Sequence, residues 1–239
     1  MNVAIVVAAG KGTRLGGKQP KQFLKLDGIP VIIHTLKRFE KCKDIDEVIV
    51  VLPRKELKKF PALLQQYGLR KVRRCVAGGE TRADSVRLGY QALSENGVKI
   101  VAIHDGVRPF VAPSEISETV LSAIKHGAAI LAIPVSDTIK VVRNGHVLFT
   151  PPRKDFWRAL TPQCFSYSDL RRAFTGPLWR QQSWKQQLTD DSELVEKVIR
   201  PKRVALVEGN SRNIKITQPE DIAVAEIILR KNRGFRIKN

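Results

Sequence analysis

The residues best suited to chemistry stand in a glycine-rich stretch near the start of the chain. Residues 8–14 read Ala-Ala-Gly-Lys-Gly-Thr-Arg. Glycines let the backbone approach phosphate groups closely, and the exposed N–H groups then act as donors. Arg14 can add two parallel hydrogen bonds to phosphate oxygens. The spacing matches neither the P-loop nor the G-x-G-x-x-G pattern, so these residues alone favour a plain strand-to-helix turn.

A second basic element follows a few residues later. Residues 19–23 read Gln-Pro-Lys-Gln-Phe, in a stretch too rich in Gly, Lys and Pro for a regular helix. Lys21 and Arg14 therefore lie on one loop, where backbone N–H groups and positive charge together attract anions. The pair predicts a binding site for a phosphorylated ligand.

The pattern Ala-Ala-Gly-x-Gly-x-Arg followed by Pro-Lys-Gln resembles the cytidylyltransferase family of the non-mevalonate isoprenoid pathway. The resemblance implies that CTP reacts with a polyol phosphate, 2-C-methyl-D-erythritol 4-phosphate, and that pyrophosphate is released. It implies three catalytic residues around the α-phosphate, together with Mg²⁺: Arg14, Lys21 and the later Lys215. The nucleotide-binding residues that it implies in the first loop are Ala8, Ala9, Gly10 and Gly12.

A second glycine pair lies at residues 78–86, which read Gly-Gly-Glu-Thr-Arg-Ala-Asp-Ser-Val. This segment resembles the family's Gly-Gly-x-x-Arg-x-x-Ser loop, which holds the cytosine ring largely through backbone groups. The resemblance adds four nucleotide-binding residues: Gly79, Glu80, Arg82 and Ser85. For Arg82 and Asp84, a helix-start cap with an ion pair is the competing interpretation.

Residues 104–110, His-Asp-Gly-Val-Arg-Pro-Phe, resemble the family's His-Asp-x-x-Arg-Pro element. The resemblance places Asp105 beside the ribose, the substrate or a Mg²⁺-bound phosphate, and Arg108 near the substrate. A carboxylate at a strand end suits a hard cation that prefers oxygen ligands, so Asp105 is also a candidate for the metal. His104 is expected to be a packed residue and not a catalytic base.

The segment from 136 to 160 predicts a β-arm that leaves the main sheet. Two alternating stretches, 138–142 and 146–150, flank an Asn-Gly pair, which is a strong hairpin signal. The resemblance implies that this arm crosses to a second subunit of a homodimer, where Arg153 reaches the substrate phosphate. Further substrate contacts implied by matching positions are Thr138, Thr161 and Thr189.

Strands alternate with helices along the rest of the chain. Apolar runs predict strands at 3–8, 47–52, 72–76, 100–104, 128–134, 163–165, 204–207 and 213–216. Helical spacing predicts helices at 29–39, 55–67, 81–93, 113–126 (opened by Ser114), 192–198 and 219–229. The alternation predicts an α/β fold with a mostly parallel twisted sheet flanked by helices. The resemblance narrows this predicted fold to a Rossmann-like nucleotidyltransferase fold. Residues 1–239 are expected to form a single domain of this kind.

Composition excludes several classes of protein. No apolar run approaches the ~20 residues that a membrane helix needs, and the first residues lack a signal peptide's basic region, so a cytoplasmic location is expected. The three cysteines have no metal-ligand or disulfide spacing. The net charge of +19 implies attraction to polyanions, without choosing between nucleotides and nucleic acid.

Three alternative functions stay open. A cytidylyltransferase for ribitol 5-phosphate shares several motifs, but residues 8–10 and 82–85 favour methylerythritol phosphate. A nucleic-acid-binding protein needs aromatic platforms in a basic stripe, for which Trp179 and Trp184 are the candidates. A sugar-nucleotide sensor on the same fold need not keep Arg14, Lys21 and Lys215.

Overall fold

The structure is a computed structural model that describes residues 1–10, 19–94, 97–181, 188–199 and 204–232. Its strands are β1 (Asn2–Val7), β2 (Lys25–Leu26), β3 (Ile29–Pro30), β4 (Glu47–Leu52), β5 (Val72–Ala77), β6 (Ile100–Asp105), β7 (Ala128–Pro134), β8 (Val141–Arg143), β9 (His146–Phe149), β10 (Trp157–Ser166) and β11 (Ala205–Glu208). Its α-helices are α1 (Val31–Lys41), α2 (Phe60–Gln66), α3 (Arg82–Gln91), α4 (Pro113–His126), α5 (Tyr167–Thr175), α6 (Asp191–Val198) and α7 (Glu220–Asn232).

Seven of the described strands form one sheet in the order β11-β7-β10-β6-β1-β4-β5. Neighbouring strands run parallel except β10, which is antiparallel to β6 and β7. Val7 at the end of β1 is level with Val51 on one side and Asp105 on the other. Val51 is in turn level with Val76 of β5. The loops that follow β1, β5 and β6 therefore leave the sheet at the same edge.

The sheet is buried on both faces, because helices pack against each of them. Along β1, Ala4 and Val6 belong to one core cluster, whereas Val3 and Ile5 belong to the opposite one. This double burial explains why the strands read as continuous apolar runs. A third cluster, which includes Leu26, Val107 and Ile216, attaches α7 and the segment around Lys215 to the loop after β6.

Three predicted elements differ from the observed ones. The helix expected at 55–67 is a 3₁₀ turn, Arg54–Glu56, followed by α2, since Pro61 suits only the first turn of a helix. Helix α4 has the predicted bounds, but the residue that opens it is Ala112, whose N–H donates to Glu115 Oε2 at 2.7 Å, and not Ser114. Residues 213–216 form no strand: the Ile216 N–H donates to the Val107 carbonyl, so this segment lies along the loop after β6.

The predicted hairpin is present as β8 and β9, joined at Asn144 and Gly145, which both have positive φ. The arm ends earlier than predicted, because Trp157 already pairs with Pro134 as the first residue of β10. Further along, the Trp179 ring is buried against the Phe174 ring, with centroids 4.8 Å apart. Within the described residues, no helix is long and apolar enough to cross a membrane.

Candidate active site

A cavity of about 840 Å³ opens at the edge of the sheet where β1, β5 and β6 end. It is lined by residues 7–10, 21–22, 78–82 and 85, and by Asp105, Val107, Lys215 and Thr217. Ten residues predicted from sequence to act on the nucleotide or substrate lie in this lining: Ala8, Ala9, Gly10, Lys21, Gly79, Glu80, Arg82, Ser85, Asp105 and Lys215. The predicted Gly12 and Arg14 lie outside the described residues.

Gln22 holds the start of the glycine-rich loop in place. Its side chain is 1% exposed, and Nε2 donates to the Ala8 carbonyl at 2.6 Å and the Gly10 carbonyl at 3.1 Å. Ala8 is also attached to the sheet, because its N–H donates to Val51 O at 2.8 Å. Sequence reasoning missed this role, although a glutamine directly after the Pro-Lys pair was a visible signal.

Replacing Gln22 with leucine should weaken binding of the phosphorylated ligand predicted for this loop. The Ala8 and Gly10 carbonyls then lose their shared buried donor, so we expect KM for CTP, the ligand that the resemblance implies, to rise by about tenfold. Steady-state kinetics with CTP varied will show this. Gln19→Leu is the matched control, because Gln19 is exposed and its amide bonds only the Phe23 carbonyl among the described contacts. An unchanged KM in Gln22→Leu contradicts the role.

Helix α3 begins with a capping box that shapes the second loop. Asp84 N donates to Thr81 Oγ1 at 3.0 Å, and Asp84 Oδ2 accepts from Thr81 N at 3.3 Å. Thr81 is therefore the N-cap residue, and Asp84 completes the capping box at the helix start, as the competing interpretation proposed. Ser85 is buried, and its Oγ accepts from Gly79 N at 3.1 Å while donating to Thr81 O at 3.0 Å.

Gly78 permits a close approach between the two loops. A Cβ at this position would collide with the Ala9 side chain and lie 2.9 Å from Ser85 Oγ. A side chain would therefore separate the first loop from the second. Gly78 thus keeps the backbones of both loops together along one wall of the cavity.

The Asp105 carboxylate lies at the centre of an ion cluster. Its Oδ1 accepts from Arg82 Nε at 3.1 Å. Its Oδ2 lies 2.9 Å from Lys215 Nζ and 3.3 Å from Arg108 Nε. Arg82 also reaches Asp191 Oδ2, at 2.8 Å. Three cations thus surround the buried Asp105 carboxylate, which lines the cavity, and Arg82 links it to the buried Asp191.

These charges shift the pKa of both carboxyls. At Asp105, burial acts to raise the pKa, but Arg82, Lys215 and Arg108 outweigh burial and hold the pKa well below its usual range. At Asp191, burial exceeds the effect of Arg82 and raises the pKa. Asp105 is therefore ionised throughout the neutral range.

A family model for 2-C-methyl-D-erythritol 4-phosphate cytidylyltransferase matches residues 2–231. The chain belongs to this family. The family member from Syntrophotalea carbinolica is 44% identical over 234 residues, which cover 96% of this chain and 97% of that protein. The one from Pelotomaculum thermopropionicum is 41% identical over 233 residues, with 97% and 95% covered.

Solved structures agree with this assignment. The 4-diphosphocytidyl-2C-methyl-D-erythritol synthase from Anaerococcus prevotii superposes with a TM-score of 0.84 at 32% identity, covering 96% of each chain. The 2-C-methyl-D-erythritol 4-phosphate cytidylyltransferase from Thermus thermophilus gives 0.72 at 30% identity, covering 96% of this chain and 100% of that chain. The predicted fold and class of enzyme, a nucleotidyltransferase, are thereby confirmed.

The described residues of this cytidylyltransferase do not build a metal site of their own. No group of three or more His, Cys, Asp or Glu side chains within the described ranges is arranged to hold an ion. Both Asp105 oxygens are occupied by cationic side chains. A carboxylate compensated in this way does not fit as a ligand for Mg²⁺.

The remaining predicted substrate residues of the cytidylyltransferase lie outside the cavity lining. Arg108 is buried beneath it, and its Nη1 donates to Asn213 O at 2.9 Å. Thr161 is buried, with internal hydrogen-bond partners. Thr189 precedes α6 and bonds to Glu193 Oε2 at 2.9 Å. The other two are exposed on the arm: Thr138 and Arg153.

Proposed function

We propose that the cavity binds CTP and that the enzyme joins the nucleotide to 2-C-methyl-D-erythritol 4-phosphate. An oxygen of the polyol's phosphate attacks the α-phosphorus, the bond to the β-phosphate breaks, and pyrophosphate leaves. The product is 4-diphosphocytidyl-2-C-methyl-D-erythritol. The observation that carries this proposal is the convergence of Lys21, Lys215 and the glycine-rich loops on one cavity.

The attacking phosphate is already an anion at neutral pH, so the reaction needs no general base. The barrier lies in bringing two anions together and in stabilising the charge of the transition state. Lys21 and Lys215 line the cavity from different loops and supply fixed positive charge there. We propose that Arg14 joins them at the α-phosphate.

Different parts of the cavity suit the two substrates, CTP and the polyol phosphate. Loop residues 78–85 present backbone groups, which Ser85 and the Thr81 cap hold in fixed positions, and this rigidity suits discrimination between base edges. We propose that cytosine lies here. Asp105 and Arg108 then serve the polyol phosphate, with Asp105 holding Lys215 between the two substrates.

We propose that the enzyme is a homodimer whose arms exchange. Large apolar side chains are more than half exposed on the hairpin: Val142, Val147, Leu148 and Phe149. Such a patch on a projecting hairpin is typical of a surface that a second copy covers. In this arrangement Arg153, which lies outside the cavity of its own chain, reaches the phosphate in the partner's site.

Mixing two inactive variants tests the exchange. Lys21→Ala protomers lack the catalytic lysine, and Arg153→Ala protomers lack the arm's cation. In a mixed dimer one site keeps both groups, so activity should return to about a quarter of wild type after random reassociation. Size-exclusion chromatography confirms the dimer, and a mixture that stays inactive although mixed dimers form contradicts the exchange.

Mg²⁺ and the cellular location are further proposals. We infer that Mg²⁺ enters on the phosphates of CTP, since Mg²⁺ commonly binds substrate phosphates with few protein ligands. We propose a cytoplasmic location, because both substrates are highly charged and do not cross bilayers unaided.

A pyrophosphate-release assay with four nucleotides and two polyol phosphates tests the reaction. Turnover should be greatest with CTP and 2-C-methyl-D-erythritol 4-phosphate. Greater turnover with ribitol 5-phosphate would show that the acceptor is a different polyol phosphate, while the proposed transfer from CTP would still hold. Absence of turnover with all pairs, combined with tight binding of CTP, would instead indicate a sensor. Burial of Trp179 already removes one of the two aromatic platforms that a nucleic-acid-binding protein would use.

A further inference from the structure

His104 is a fully buried histidine directly beneath the cavity. It precedes Asp105 at the end of β6 and does not line the cavity. Its ring packs edge-on against the Phe39 ring, with centroids 4.9 Å apart. Both ring nitrogens have polar partners: Nδ1 lies 2.9 Å from Thr161 Oγ1, and Nε2 lies 3.2 Å from the Arg108 carbonyl.

These contacts define one tautomer. A carbonyl can only accept, so His104 Nε2 carries the ring proton and donates it to Arg108 O. Burial lowers the pKa of His104 to about 3, so the ring is neutral and Nδ1 is an acceptor. The Thr161 hydroxyl therefore donates to Nδ1, and its oxygen accepts from Asp105 N–H at 3.2 Å.

The resulting chain of hydrogen bonds fixes both ends of the loop that carries the ion cluster. It runs from Asp105 N–H through the Thr161 hydroxyl to the His104 ring, and from the ring to the Arg108 carbonyl. Asn213 extends this chain of hydrogen bonds. Its side-chain Nδ2 donates to the Thr161 backbone carbonyl at 2.8 Å, and its own backbone carbonyl accepts from Arg108 Nη1. Asn213 stands two residues before Lys215, so the same network sets the course of the lysine's segment.

We propose that His104 is a positioning residue for the polyol-phosphate half of the site, and that it acts through Thr161 and the Arg108 backbone. In this proposal Thr161 serves the reaction by orienting Asp105, in addition to the substrate contact that the resemblance implies. The inference rests on the proposed function in one respect, the assignment of Asp105 and Arg108 to the polyol phosphate.

Two variants separate positioning from packing. His104→Leu removes both hydrogen bonds and should lower kcat/KM for the polyol phosphate by about tenfold to a hundredfold, with KM for CTP changed much less. His104→Asn retains an acceptor near the place of Nδ1 and should recover most of this loss. Such rescue is not expected if the ring only fills space.

His34→Leu is the matched control. His34 is also a buried histidine whose ring bonds a carbonyl, Leu26 O, at 2.8 Å, and it lies on α1 outside the cavity lining. Its replacement should lower the melting temperature without a selective change in kcat/KM. Normal kinetics in His104→Leu below its melting temperature, or an equal selective loss in His34→Leu, would overturn the proposal.

One further measurement decides the case if His104→Leu fails to fold. ¹⁵N chemical shifts of the His104 ring in the unaltered enzyme should show a protonated Nε2 and a bare Nδ1, and the opposite tautomer refutes the chain. An enzyme that is inactive with the polyol phosphate but shows the expected tautomer would contradict the proposed function alone.

Discussion

Lys21→Ala should lower kcat by about 10²–10³ and leave KM for CTP within a few-fold of wild type. Lys21 lines the cavity next to the glycine-rich loop, where the α-phosphate gains charge only as the transition state forms. A cation that acts chiefly on that state contributes to the rate far more than to ground-state binding. Steady-state kinetics, with each substrate varied in turn, separate the two effects.

Lys25→Ala is the control for this experiment. Lys25 is a nearby exposed lysine on β2 that does not line the cavity, so its loss changes the net charge equally and leaves the described cavity lining intact. We expect its kcat to equal that of wild type. A nearly normal kcat in Lys21→Ala would remove Lys21 from the catalytic role.

Asp105→Asn should damage both stability and activity. Asparagine keeps the size of the side chain but leaves Arg82, Arg108 and Lys215 without their shared counter-charge. Breaking a buried ion pair on one side typically costs about 3–5 kcal/mol. We expect a loss of this order in the free energy of unfolding, and a fall in kcat/KM of at least about a hundredfold as Lys215 leaves its place.

The pH dependence of unfolding distinguishes this cluster from simple packing. Because the pKa of Asp105 is depressed in the fold, its stabilisation is present above the carboxyl's unfolded pKa of about 3.9 and is lost as the pH falls below that value. Asp105→Asn should lack this part of the acid slope. Asp169 is a buried carboxylate in the first turn of α5, outside the cavity, and its Oδ2 accepts from the N-cap hydroxyl of Ser166. Asp169→Asn should lower stability without the loss of activity. Equal activity losses in the two variants would contradict the account.

Local sequence signals predicted the parts of the site that depend on neighbours in the chain. Asp105 ends an apolar strand, so its position at the sheet edge followed from the run of residues before it. The spacing of Thr81 and Asp84 allowed a helix cap, which the structure contains. Lys21 and Lys215 came from family resemblance, and the fold brings both to one cavity.

Contacts between distant segments could not be predicted in this way. Arg82 lies 109 residues from Asp191, and no local pattern indicates that the two side chains meet. Residues 213–216 alternate in the manner of a strand, yet Ile216 packs into the cluster with Leu26 and Val107 while the backbone bonds a loop. The alternation of apolar and polar residues indicated which side chains are buried, but it did not indicate which surface they pack against.

The most direct test is a crystal structure of the enzyme with CTP and Mg²⁺. We expect the triphosphate to lie against residues 8–14, with Arg14, Lys21 and Lys215 around the α-phosphate and cytosine beside Gly79. A triphosphate bound elsewhere, or one that leaves these three cations scattered away from the α-phosphate, would contradict the account.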